Sequence, residues 1–186
     1  MNPNALFAAA SEIQQCCLDH GWAFCFIGGL AVLRWGDPRL TRDVDVTIVT
    51  GFGDEEPVIR ALTDRFPQRI EDATAFAREN RVLLIQADSV PIDVSLGALP
   101  FEQRVTERAS PFEIGPDESL HTCSAEDLIV LKTFAGRDRD WADIEGVALR
   151  QADALDEALI WEELLPLLHV KGDDESAERL RRILAA

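Results

Sequence analysis

The sequence predicts an α+β fold (α/β in the broad sense): a small mixed β-sheet flanked by helices, continued by a C-terminal helical lobe. Three observations predict it. Short apolar, strand-like runs alternate with helical ones as far as residue 96. Two of those runs, 81–87 and 89–96, are joined too tightly for a crossover helix and so form a hairpin. From residue 124 onward the pattern is helical throughout. The 186 residues suffice for one domain with an appended lobe, the division expected as a core at 1–122 and a lobe at 123–186.

Residues 4–20 form an amphipathic helix, with Leu6, Ile13 and Cys17 on its apolar side and Gly21 closing it. Residues 22–27 are a short apolar strand running into Gly28-Gly29, and residues 30–35 are helical, stopped by Gly36-Asp37-Pro38. A strand follows at 43–49, then a Gly51-Phe52-Gly53 turn and a helix over 55–66. After the hairpin, residues 97–122 are loop-rich with one or two short strands. Ser124-Ala125-Glu126-Asp127 has the form of a capping box and opens a helix through Leu131 and Phe134. The helical remainder breaks near 151–154 and at Lys171-Gly172-Asp173. There is no internal repeat.

The hydrophobic content of 47% is ordinary for a soluble protein, and no apolar run is long enough to cross a bilayer. The first residues lack the basic flank and long apolar core of a signal peptide, so a cytoplasmic location with no membrane partner is expected. The four cysteines include no Cys-x-x-Cys and fit buried, reduced thiols. His20, His121 and His169 are too scattered for a motif. A net charge of −16 excludes a general nucleic-acid coat, which needs a wide basic face. Against that background Arg34, Arg39 and Arg42 cluster, as do Lys132, Arg137 and Arg139, which suits one small anionic ligand.

In a strand, alternate side chains share a face. Asp43 and Asp45 therefore face one way and Val44, Val46 and Ile48 the other; Asp93 and Ser95 likewise oppose Val90, Ile92 and Val94. If the two strands are neighbours, three carboxylates meet on one patch and repel. A divalent cation removes that repulsion, and an oxygen-only ligand set of Asp43, Asp45 and Asp93 suits magnesium or manganese. A solvated acidic face, paired with Arg39 or Arg42, is the plainer alternative. Gly28-Gly29 weighs against it, because glycines between a strand and a helix leave backbone N–H groups where a phosphate can sit. An EF-hand is excluded because Ile48 stands where its glycine is required. Asp43-Val44-Asp45 also resembles the nucleophile motif of haloacid dehalogenase-like phosphatases. There, however, the aspartate ends a buried strand, whereas here the apolar run follows it.

Gly28-Gly29, Asp43-x-Asp45 and the later Asp93 resemble, in order and spacing, the DNA polymerase β-like nucleotidyltransferase superfamily. "TRDVDV" and "SAEDLIVLKTFAGRDRDWADIEGV" narrow the resemblance to its AbiEii-type branch, from type IV toxin–antitoxin systems. The resemblance implies the nucleotidyltransferase fold and transfer of an NMP from an NTP to a hydroxyl acceptor. That acceptor is a tRNA end, a protein or a small molecule, and the partner a cognate toxin or antitoxin. It implies metal ligation by Asp43, Asp45 and Asp93, with Asp93 as proton acceptor, and phosphate binding by Gly28 and Gly29. It carries over Thr41, Lys132, Arg139, Asp140 and Asp143 as site residues: Lys132 as a catalytic cation neutralising the triphosphate, and Thr41, Arg139 and Asp143 at the nucleotide beside the local cation Arg42. Gly29 departs from the serine of many members, which removes one hydroxyl from the phosphate cradle. A non-catalytic NTP-binding or antitoxin-like subunit with the same fold is the alternative.

A continuous helix from Ser124 to Gly146 would also place Lys132, Arg139 and Asp143 on one stripe, by steps of seven and four. That stripe fits either an anion site or a solvated row of ion pairs. Lys132, between Leu131 and Phe134, favours the first, since an ammonium in apolar surroundings needs an anion to meet. Trp141 and Phe134 are expected in the core.

Overall fold

The computed structural model describes residues 3–185. In chain order its elements are α1 (Pro3–His20), β1 (Phe24–Phe26), α2 (Gly28–Trp35), β2 (Val44–Val49), α3 (Glu56–Arg65), α4 (Ala73–Asn80), β3 (Val82–Ala87) and β4 (Val90–Gly97). There follow α5 (Pro100–Glu107), β5 (Ser110–Gly115), β6 (Glu118–Thr122), α6 (Ala125–Ala135), α7 (Asp138–Gln151), α8 (Glu157–Lys171) and α9 (Asp174–Leu184). Two compact units result. Among the described residues, one comprises 3–30 and 40–123, the other 31–39 and 124–185.

The first unit is built on a mixed six-stranded sheet in the order β3-β4-β2-β1-β6-β5. β3 and β4 form the expected antiparallel hairpin, and β4 runs parallel to β2. Alternation decides the faces. Val44, Val46, Ile48, Val90, Ile92 and Val94 are essentially inaccessible, while Asp45 and Asp93 between them are half-buried. α1 contributes Leu6, Ala9, Ile13 and Cys16, which recur at helical spacing and are all buried. It ends as expected: Gly21, at φ +68°, lets the Trp22 N–H reach the Cys17 carbonyl and its own N–H the Leu18 carbonyl. All four cysteines are buried, and no disulfide forms among the described residues.

Three local features differ from expectation. α2 starts at Gly28, so both glycines belong to its first turn instead of preceding it. α4 was not anticipated from so few apolar residues; Ala73 and Ala77, one turn apart, carry its burial. α5 occupies part of the supposed loop and is started by Pro100 with Glu102, whose carboxylate accepts from the Ala98 and Leu99 N–H groups. β5 and β6 are the short strands expected in that stretch, paired as a hairpin.

The second unit packs α6–α9 with the segment 31–39. Ser124 caps α6 by accepting from the Asp127 N–H, as predicted. The expected continuous helix from 124 to 146 is instead two helices. Gly136, in the left-handed region at φ +67°, ends α6 and turns the chain into α7. A Cβ on Gly36 would lie 3.0 Å from Val147, and one on Gly146 would lie 3.2 Å from Asp37, so small residues let the 31–39 segment lie against α7. The predicted breaks before and after α8 are present, as a 3-10 turn at Ala152–Ala154 and as Gly172 at φ +70°. No helix among the described residues is long and apolar enough to cross a membrane.

Candidate active site

The carboxylates lie in the first unit, where β2 begins. Val44 and Val46 are fully buried, and that fixes Asp45 on the opposite face of the sheet. In the parallel register Asp45 stands directly beside Asp93 of β4. Asp43, just before β2, is half-buried, and the Thr41 hydroxyl donates to its Oδ1 at 3.1 Å. Strand adjacency, the condition on which the three-carboxylate patch depended, is thus met for Asp45 and Asp93.

The glycines are held close to this cluster for steric reasons. Gly28 adopts φ +56°, and a Cβ there would fall 2.1 Å from Asp45 Oδ2 and 2.6 Å from its Cγ. Only glycine satisfies both the backbone and the contact. A Cβ on Gly29 would fall 2.2 Å from Thr41 Oγ1. Threonine, 7% exposed, therefore fills the space that a side chain at 29 would take, which accounts for the absence of serine. The first N–H groups of α2 have no carbonyl of their own helix to meet.

One participant was not foreseen. Arg69 donates from its NH2 to Asp93 Oδ1 at 2.6 Å. Burial raises the Asp93 pKa most, the Arg69 charge lowers it and the Asp43 charge raises it, with a net rise. No group of three His, Cys, Asp or Glu side chains among the described residues is gathered in metal-holding geometry.

The remaining candidates lie in the second unit, apart from Arg42, which is exposed between Thr41 and Asp43. Lys132 is buried, and its ammonium donates to Asp143 Oδ2 at 2.6 Å and Asp140 Oδ1 at 3.1 Å. The turn at Gly136 produces this meeting by folding α7 back on α6. The single-stripe geometry therefore does not apply, and Arg139 is exposed outside the cluster. Asp140 also accepts from the Arg137 backbone and guanidinium at the start of α7. Arg39 grips Asp143 with a two-pronged bond of 2.6 and 2.8 Å. No local pattern signals that bond, because its partner is 104 residues away. Burial pushes the Asp140 and Asp143 pKa values up, but the hydrogen bonds and charges of Arg137, Arg39 and Lys132 prevail and hold both below the usual range. Trp141 is buried as expected and bonds the Gly136 carbonyl, whereas Phe134 is exposed beneath the Lys171 ammonium.

A family model described as nucleotidyl transferase AbiEii toxin, type IV TA system, matches residues 17–185. Among solved structures, the chain is similar to an antigenic nucleotidyltransferase-like protein from Paracoccidioides brasiliensis. The TM-score is 0.56 and the identity 14%, covering 96% of this chain and 93% of that one. It is also similar to the antibiotic-resistance factor ANT(2'')-Ia, with TM-score 0.56 and 13% identity over 92% of this chain and 96% of that one. At these identities the solved structures speak for the fold alone. Among curated protein sequences none matches significantly.

Proposed function

Because the chain belongs to the AbiEii nucleotidyltransferase family of type IV toxin–antitoxin systems, we propose that it moves a nucleoside monophosphate from an NTP to a hydroxyl on RNA, such as a tRNA end, or on a protein. The observation that carries this reading is the placing of Asp45 beside Asp93 across β2 and β4, with Gly28 pressed against the Asp45 carboxylate.

Asp43, Asp45 and Asp93 offer carboxylate oxygens only, a donor set that fits magnesium or manganese. Such an ion supplies charge neutralisation of the triphosphate and a lowered pKa for the attacking hydroxyl. Every other role belongs to the chain itself. The N–H groups opening α2 hold phosphate oxygens, with Arg42 as an exposed cation for the same anion. Thr41 orients Asp43 through its hydroxyl. Asp93, whose proton affinity is raised by burial, takes the proton of the acceptor hydroxyl. Lys132 and Asp143 act by positioning: with Arg39 they tie down the chain that leads into Thr41 and Asp43. In this reading the chain is the toxin of a pair whose antitoxin is a second protein.

Incubation of the protein with magnesium, cell extract and each of the four α-labelled NTPs tests the reading. Label is expected in one macromolecular fraction, removed by ribonuclease or by protease. Absence of label in every fraction with all four NTPs would overturn it.

A further inference from the structure

Asp93 is claimed by a cation of this chain. Arg69 lies in the stretch between α3 and α4, where its N–H donates to the Leu84 carbonyl at 3.0 Å and the Gln86 N–H donates to Pro67 at 3.0 Å. Gln68 bridges Ile85 in the same way, so residues 67–69 form a short extra edge along β3. Leu84 is the register partner of Asp93, and Asp93 that of Asp45. Arg69, Leu84, Asp93 and Asp45 thus form one row across four adjacent chain segments. The Arg69 side chain crosses β3 and ends 2.6 Å from Asp93 Oδ1, with 24% of Arg69 and 35% of Asp93 exposed.

A guanidinium stays charged at any accessible pH and offers only donors. Placed on a carboxylate beside two others, it supplies the positive charge that the cluster needs. It also occupies one oxygen, Oδ1, of the third carboxylate.

We propose that Arg69 is a counter-ion latch: it holds Asp93 in the metal-free protein and must release it before Asp93 joins a divalent cation bound by Asp43 and Asp45. The inference rests on the nucleotidyltransferase reading of the three aspartates. Its consequence is competition. Arg69 stabilises the site without metal and weakens it for metal, so the third ligand is engaged only when cation and nucleotide together displace the guanidinium.

Calorimetric titration of manganese into the full chain, with a non-hydrolysable NTP analogue present, reads this competition without turnover. For a half-exposed pair, Arg69→Gln is expected to bind manganese about two- to fivefold more tightly than the wild type. Arg69→Lys, which keeps the charge and disturbs the fold less, should fall between them. Adding Arg69→Gln to Asp93→Asn should bring no gain, because the latch has nothing left to hold. Melting in EDTA should drop for Arg69→Gln and rise further than the wild type on adding manganese. Unchanged or weaker manganese binding by both Arg69 variants, with normal binding by the wild type, overturns the latch and leaves the site reading intact. A wild type that binds no manganese overturns both.

Discussion

Replacing Gly28 with alanine gives a clean perturbation of the site, because Gly21 provides its control. Both glycines lie in the left-handed region, at φ +56° and +68°. A side chain costs roughly 1–2 kcal/mol in that conformation. At Gly21 nothing lies within 4 Å of the added Cβ, so Gly21→Ala should lose only that amount. At Gly28 the Cβ would meet Asp45 Oδ2 at 2.1 Å, Cγ at 2.6 Å and Cβ at 2.9 Å. Swinging the carboxylate away does not remove the third contact, and Asp45 is rooted between the fully buried Val44 and Val46. The strand or the start of α2 must therefore shift, adding about 1–3 kcal/mol of overpacking. Gly28→Ala should lose roughly 2–5 kcal/mol in urea unfolding, or about 2–4 °C of melting temperature per kcal/mol at this length. Displacing Asp45 by even about 1 Å should reduce nucleotide transfer by about a hundredfold, while Gly21→Ala keeps its activity. Equal stability and equal transfer in the two variants would refute the packing of Asp45 on Gly28.

The other predictions follow from neighbouring contacts. Gly29→Ser should cost about 1–3 kcal/mol by urea unfolding, since the new Cβ falls 2.2 Å from Thr41 Oγ1. Asp143→Ala leaves two cations without their shared partner and should cost about 3 kcal/mol, or roughly 6–12 °C in melting temperature. Combined with Lys132→Met, its loss should be clearly less than additive in a double-mutant cycle. Acid should unfold the protein partly through Asp140 and Asp143. Their folded pKa values are lowered, so the unfolded chain takes up protons first; their contribution is complete above about pH 4 and is lost as the pH falls through the folded values. Asp143→Asn should flatten that part of the pH–stability curve, measured by thermal melting between about pH 2 and 5.

Signals that act within a few residues were legible in advance. The alternation of Val44, Val46 and Ile48 against Asp43 and Asp45 assigned the faces of β2, and Ser124 marked the start of α6. Gly21 marked the end of α1 because the left-handed closing residue is a local requirement. α4 and α5 escaped because their burial rests on Ala73 with Ala77 and on Phe101 with Val105, too few apolar positions to establish a period. Gly136 was ambiguous for a different reason. A glycine inside an apolar helical pattern either continues the helix at a cost or ends it, and only the packing of α7 on α6 decides. The Arg39–Asp143 and Arg69–Asp93 pairs were beyond reach because each joins elements that only the folded chain brings together.

Parallel reactions with α-labelled and γ-labelled NTP, magnesium and the acceptor fraction test the central claim most directly, with Asp43→Asn and Asp45→Asn beside the wild type. Nucleotidyl transfer predicts that α-label enters the acceptor, that γ-label leaves as pyrophosphate, and that both variants lose transfer while melting cooperatively. Entry of γ-label into the acceptor, or undiminished α-label transfer by the folded Asp43→Asn and Asp45→Asn proteins, would contradict it.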